Sequence, residues 1–122
     1  MPSEDPLIEF TKLLKHLAEA VRQAVQASVG KKWKDAYLDV RSPPEGGSRT
    51  MKLRVNVSTK KVASVKTTAD IDSTILRLFH LKDAAFTPRW YGLKLVVTHS
   101  GACEATYNYD PECEADEAFW ED

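Results

Sequence analysis

The chain has 122 residues, of which 43% are hydrophobic and 29% charged, the length of one domain and the composition of a folded globular chain rather than a disordered one. No apolar run approaches the ~20 residues that cross a bilayer. The opening MPSEDPLIEF lacks the basic and apolar stretches of a secretory leader, and two cysteines make no disulfide framework, so a single domain over 1–122 in the cytoplasm is expected.

The first element in chain order is a long helix from Pro6 to Val29. Asp5 is its N-cap, Pro6 suits the first turn and Gly30 stops it. Leu7, Phe10, Leu14, Leu17, Val21 and Ala24 recur at three-four spacing, one apolar stripe that must pack on something, most simply a sheet. Lys34 to Val40 alternates as a first strand. SPPEGGS, Ser42 to Ser48, is a loop by its Pro and Gly content. Met51 to Ser58 alternates cleanly, with Met51, Leu53, Val55 and Val57 on one side and Lys52, Arg54, Asn56 and Ser58 on the other. Lys61 to Thr67 is a third strand, rich in β-branched residues.

A second helix is predicted from Ile71 to Lys82, capped by Asp70 or Asp72, with Ile71, Ile75, Leu78 and Phe79 on its apolar face. Tyr91 to Tyr109 reads as a hairpin turning at Ser100-Gly101. Asp110-Pro111 then opens a turn, followed by a short helix ending near Trp120. The order α-β-β-β-α-β-β, plus a short C-terminal helix or turn, predicts an α+β fold. Its antiparallel sheet has about five strands, with two helices packed on one face and the other face polar.

The residues that carry chemistry elsewhere are scattered here. His16, His80 and His99 lie on separate elements without ligand spacing. Cys103 alternates with Ala105 and Tyr107 and reads as a buried core thiol. No phosphate-binding, dinucleotide, nucleophile-elbow or zinc-protease motif occurs. Catalysis, a metal site and a cofactor are therefore not expected. Lys52, Arg54, Lys60, Lys61 and Lys66 form a basic patch on the middle strands, but no aromatic lies between Tyr37 and Phe79 to stack bases. A solvated outer face with edge-protecting lysines is the simpler reading, without direct nucleic-acid binding.

The acidic end is the most unusual feature. All 17 Lys and Arg fall between Lys12 and Lys94 against ten acids, a net +7 for residues 1–99, while residues 100–122 carry eight acids and no base. Phe119 and Trp120 are embedded among those acids, with Tyr107 and Tyr109 just before them, whereas purely solvating tails hold few aromatics. The spacing of the acids lacks the central Gly and closing Glu of a calcium loop. Asp110, Glu112, Glu114, Asp116 and Glu117, with Trp120 as anchor, are the candidate partner-binding residues: carboxylates steer a basic surface in and an aromatic holds it.

The segment WYGLKLVVTHSGACEATYNYDPECEADEAFW resembles the closing part of YezG-like immunity proteins, which end in a Trp, an alternating strand, a Gly turn and a second strand finishing in an aromatic-Asn-Tyr-Asp-like run. Those positions are Trp90, Leu93, Leu95, Gly101, Tyr107, Asn108, Tyr109 and Asp110 here. The leading helix followed by Trp33 and a strand fits the same order of elements. The resemblance implies an immunity protein, or antitoxin, of a bacterial polymorphic toxin system, which binds a cognate toxin domain, often a nuclease, and blocks its active site. It transfers no binding residue position by position. The competing reading of size and element order is a dimeric chaperone of the type III secretion kind, which would hold an extended segment in apolar grooves and be an obligate dimer. Monomer and dimer both stay open.

Overall fold

The computed structural model of the protein describes residues 5–30, 32–43, 49–58, 61–86 and 89–113. Its elements are α1 (Pro6–Val29), β1 (Asp35–Arg41), β2 (Thr50–Ser58), β3 (Lys61–Ser64), α2 (Ala69–Ala85), β4 (Gly92–Thr98) and β5 (Cys103–Asn108). This is the α-β-β-β-α-β-β order and the α+β class read from the sequence. The start and stop of α1 are local chemistry: the Asp5 carboxylate accepts a hydrogen bond from the Leu7 N–H at 2.8 Å, Pro6 opens the first turn, and Gly30 closes the helix at φ 82°. The cap of α2 differs from the expected Asp70 or Asp72. The Thr68 hydroxyl takes that role, accepting from the Ile71 N–H at 3.3 Å. Both aspartates lie inside the first turn, where the positive end of the helix dipole favours carboxylates.

The five strands form one antiparallel sheet in the order β3-β2-β1-β4-β5. The crossover through α2 places β4 beside β1, so β1 is central. Leu38 stands opposite Leu53 on one side and Leu95 on the other, an apolar row across three strands. Ala36, Leu38, Val40, Leu53, Val55, Leu93, Leu95 and Val97 are all buried in one core with Leu17, Val21 and Val25 of α1 and Ile71, Ile75 and Leu78 of α2. Both helices therefore cover the same sheet face. Because α1 packs on α2 as well as on β1 and β4, it buries more than one stripe. Leu13, Ala18, Ala20 and Val25 join the core while Leu7, assigned to the stripe by spacing alone, is 48% exposed.

An aromatic cluster closes one end of this core. Trp90 is fully buried, with ring centroids 4.8 Å from Tyr107, 5.5 Å from Phe79 and 5.9 Å from Phe86, and Phe10 lies 4.9 Å from Phe86. The cluster joins α1, α2 and β5. Beside it Lys82 is buried, which requires compensation for its charge. Its Nζ donates to the Trp90 carbonyl at 2.7 Å and to Asp83 Oδ1 at 2.8 Å, and sits 5.2 Å from the Trp90 ring centroid. Partial burial pushes the Asp83 carboxyl up, but hydrogen bonds and positive charge from Lys82 and Arg89 outweigh it and hold the group below its ordinary range.

One expectation about the sheet fails. Cys103 shares the helix-facing side with Ala105 and Tyr107, yet it is exposed. Alternation gives a residue's side of the sheet, not whether anything covers it. Cys103 starts the outermost strand next to the hairpin turn, outside the strands that α1 overlies. The buried thiol is Cys113, 1% exposed.

Candidate protein-binding site

The acidic end begins on a turn built by its own side chains. The Tyr91 N–H donates to the Asn108 carbonyl at 2.7 Å, closing the hairpin. Asn108 Oδ1 then accepts from the Asp110 N–H at 2.9 Å, and Asp110 Oδ1 accepts from the Glu112 N–H at 2.9 Å. Two successive side-chain-capped turns result, the expected turn at Asp110-Pro111 being part of the second. The Cys113 N–H donates to the Asp110 carbonyl at 3.1 Å and finishes the curl.

Two contacts pin this turn to the sheet. Arg41 Nη1 donates to the Cys113 carbonyl at 2.7 Å, and Arg41 Nε lies 3.4 Å from Asp39 Oδ1. The Cys113 thiol seats over Gly92: a Cβ at that position would stand 3.0 Å from Asn108 Cβ and 3.3 Å from Cys113 Sγ. Gly92 faces Arg41 across the β1–β4 ladder and Asn108 across β4–β5. The turn therefore folds onto the sheet face opposite the helices. Burial pushes the Cys113 thiol up, Arg41 opposes the shift, and Asp110 and Asp39 add to it. The group stays a protonated thiol rather than a nucleophilic thiolate. Burial, with Tyr109 nearby, likewise raises the Tyr107 phenol.

The Asp110 and Glu112 side chains are exposed on this pinned turn, and Tyr109 beside them is 52% exposed. The structure thus brings together two of the acids singled out by composition. Glu114, Asp116, Glu117 and Trp120, together with the short helix expected near Trp120, lie outside the described residues. A depression of about 280 Å³ next to the turn is lined by Asp39, Arg41, Lys94, Asn108 and Tyr109, among others.

Sequence reading missed Arg41 and Gly92. Arg41 lay just beyond the predicted strand end, and its partner is 72 residues away. Gly92 carried a usable signal, because a glycine inside an alternating strand marks a close approach of other atoms. The basic patch also gains members from the topology. Tyr37 on β1 stands opposite Arg54, and Lys94 Nζ lies 4.8 Å from its ring centroid. Lys60 of that patch lies outside the described residues.

The histidines remain apart. His16 Nε2 pairs with Asp70 Oδ1 at 2.8 Å between the two helices, His99 packs edge-on against Trp33 at 5.2 Å, and His80 is exposed. Among the described residues no group of three or more His, Cys, Asp or Glu is arranged to hold a metal ion, and no helix is long and apolar enough to cross a membrane. A scan against protein-family models gives no match to this chain, and a search of the curated proteins gives none either.

Proposed function

We propose that this protein is an immunity protein: an antitoxin that binds a cognate bacterial toxin domain in the cytoplasm and covers its active site, without catalysis, cofactor or metal of its own. The reading starts from the resemblance of the Trp90–Trp120 segment to YezG-like immunity proteins. The observation that carries it is the pinned turn, whose backbone is held to the sheet while the Asp110 and Glu112 side chains are exposed on it. A preformed surface loses less conformational entropy on binding than a free tail does. Clustered carboxylates suit a basic partner, and an active site built for phosphate offers one. A nuclease or other nucleic-acid-modifying toxin is therefore the class of target, with Glu114, Asp116, Glu117 and Trp120 extending the contact.

The test is co-expression with the product of each gene adjacent to this one, the immunity role requiring one of them to encode a toxin domain. The proposed role requires that domain to arrest growth alone, and the present chain to restore growth and co-purify with it. Neutralising Asp110 and Glu112 together (Asp110→Asn, Glu112→Gln) should slow association, with the deficit shrinking as salt rises and screening removes the steering. A neighbouring product that arrests growth but is neither bound nor neutralised overturns the reading.

A further inference from the structure

The Asp110–Glu112 turn continues directly from β5, and β5 is the outermost strand of the sheet on that side among the described residues. The Thr98 N–H donates to the Ala102 carbonyl at 2.8 Å, making 98 and 102 a hydrogen-bonded pair. In an antiparallel ladder such pairs alternate. Glu104 and Thr106, opposite Val96 and Lys94, therefore turn their N–H and C=O toward β4, and Cys103, Ala105 and Tyr107 turn theirs outward. Nothing among the described residues pairs with those outward groups. A row of unpaired backbone donors and acceptors is a template for one more strand.

The opposite edge is protected. β3 has four residues, begins with Lys61, is followed by Lys66, and pairs with β2 across a register shift at Asn56/Ser58. Short length, lysines and an irregular ladder are the devices that keep a sheet edge from recruiting strands. β5 has six residues, no Pro, no Lys or Arg, and a regular ladder from Gly92–Asn108 to Val97–Cys103.

We infer that the β5 edge is a strand-addition site for an extended, basic, alternating segment of the partner protein. The side chains decide what can bind. On the helix side Ala105 and Tyr107 are only half-buried, so they offer apolar contact to alternate residues of an incoming strand. On the other side Glu104 is exposed, and Asp110 and Glu112 follow at the strand's end, so the intervening residues should be Lys or Arg. The same charge disfavours a second copy of this chain, since residues 100–122 hold eight acids and no base and edge-to-edge pairing would set two acidic segments alongside each other with no base between them. The inference rests on the proposed role only in taking the partner to be the toxin; the edge itself can be tested without one.

The experiment measures amide hydrogen exchange with two synthetic peptides of about eight residues, alternating Lys/Val and alternating Glu/Val, long enough to span β5. The Lys/Val peptide should slow exchange at Ala105 and Tyr107 by about tenfold at saturation, the ratio expected for about 1.4 kcal/mol of added protection. It should leave Val62 and Ala63 on β3 unchanged, and the Glu/Val peptide should do neither. Ala105→Pro removes one outward donor without touching a β4 bond and should abolish the protection at Tyr107. Glu104→Lys keeps the backbone and should reverse the preference between the peptides, so a misfolded proline variant does not decide the matter. Absence of protection by Lys/Val, equal protection by both peptides, or protection at β3 overturns the inference. In the co-expression assay, full toxin neutralisation by folded Ala105→Pro and Glu104→Lys would overturn strand addition while leaving the immunity role intact. Protection at β5 without any toxin neutralisation would do the reverse.

Discussion

At one edge of the sheet, β3 ends in four residues with Lys61 at its head and 58%-exposed Val62 on its surface. At the other, β5 runs for six residues, carries Glu104 as its charge, and is tied by Tyr107 to the buried aromatic cluster and by Asn108 to the pinned turn. Among the described residues both strands have one neighbour, and both have the same backbone groups to satisfy. What differs is their anchoring: β3 is held by β2 and by half-buried Ala63 against the core, whereas β5 is held by β4, by the Phe10–Phe86–Trp90–Tyr107 contacts and by the loop that seats Cys113 on Gly92. An anchored edge strand does not have to be ordered when a partner arrives, which lowers the entropy lost on binding.

The contrast can be broken most forcefully at Trp90. Trp90→Ala removes the ring on which Tyr107, Phe79 and Phe86 pack, and should lower unfolding stability by about 3–5 kcal/mol in a urea titration. A loss below about 0.5 kcal/mol, the scale of ordinary surface changes, would mean that the cluster does not anchor β5.

Gly92→Ala probes the second anchor. Its Cβ would meet the Asn108 Cβ at 3.0 Å and the Cys113 thiol at 3.3 Å, so the turn must shift, at about 1–3 kcal/mol. Alkylation reports the shift directly. In the native protein, iodoacetamide at mildly alkaline pH should modify exposed Cys103 well before buried Cys113, whose thiol is held protonated by burial. In Gly92→Ala the gap between the two rates should narrow. An unchanged gap would show that the turn does not depend on the Gly92 seat.

The smallest effect is expected on β3. Val62→Thr exchanges one exposed β-branched side chain for another and should alter stability by less than about 0.5 kcal/mol in the same titration. A larger loss would show that β3 is held more tightly than its exposure indicates, and the two edges would then differ less than their structures indicate.

Much of the fold was legible from short-range pattern. The Pro6–Val29 helix starts and stops at the predicted residues because Asp5, Pro6 and Gly30 act within one turn of themselves. The strand at Thr50–Ser58 follows from the alternation of Met51 to Ser58. Errors arose where a local signal had two readings. Thr68 and Asp70 are both good caps, and the one preceding the first helical turn took the role. Cys103 and Tyr107 share a side of the sheet, and only Tyr107 reaches the aromatic cluster. The candidate site was legible as composition: the acids and aromatics after Val97 marked it, but nothing in their spacing showed Asp110 and Glu112 held on a turn by Asn108.

Periodicity, capping and charge by themselves determined the element order, the face each strand buries and the concentration of acid at one end, since each depends on residues within a few positions of one another. The tertiary structure alone decided that β4 lies against β1, that Tyr37 meets Arg54 and Lys94, that Arg41 holds the Cys113 carbonyl, and that the strand leading into the acidic end is the outermost on its side among the described residues. Those pairings join residues far apart in the chain, and they form only when the burial of one shared apolar face brings the strands together.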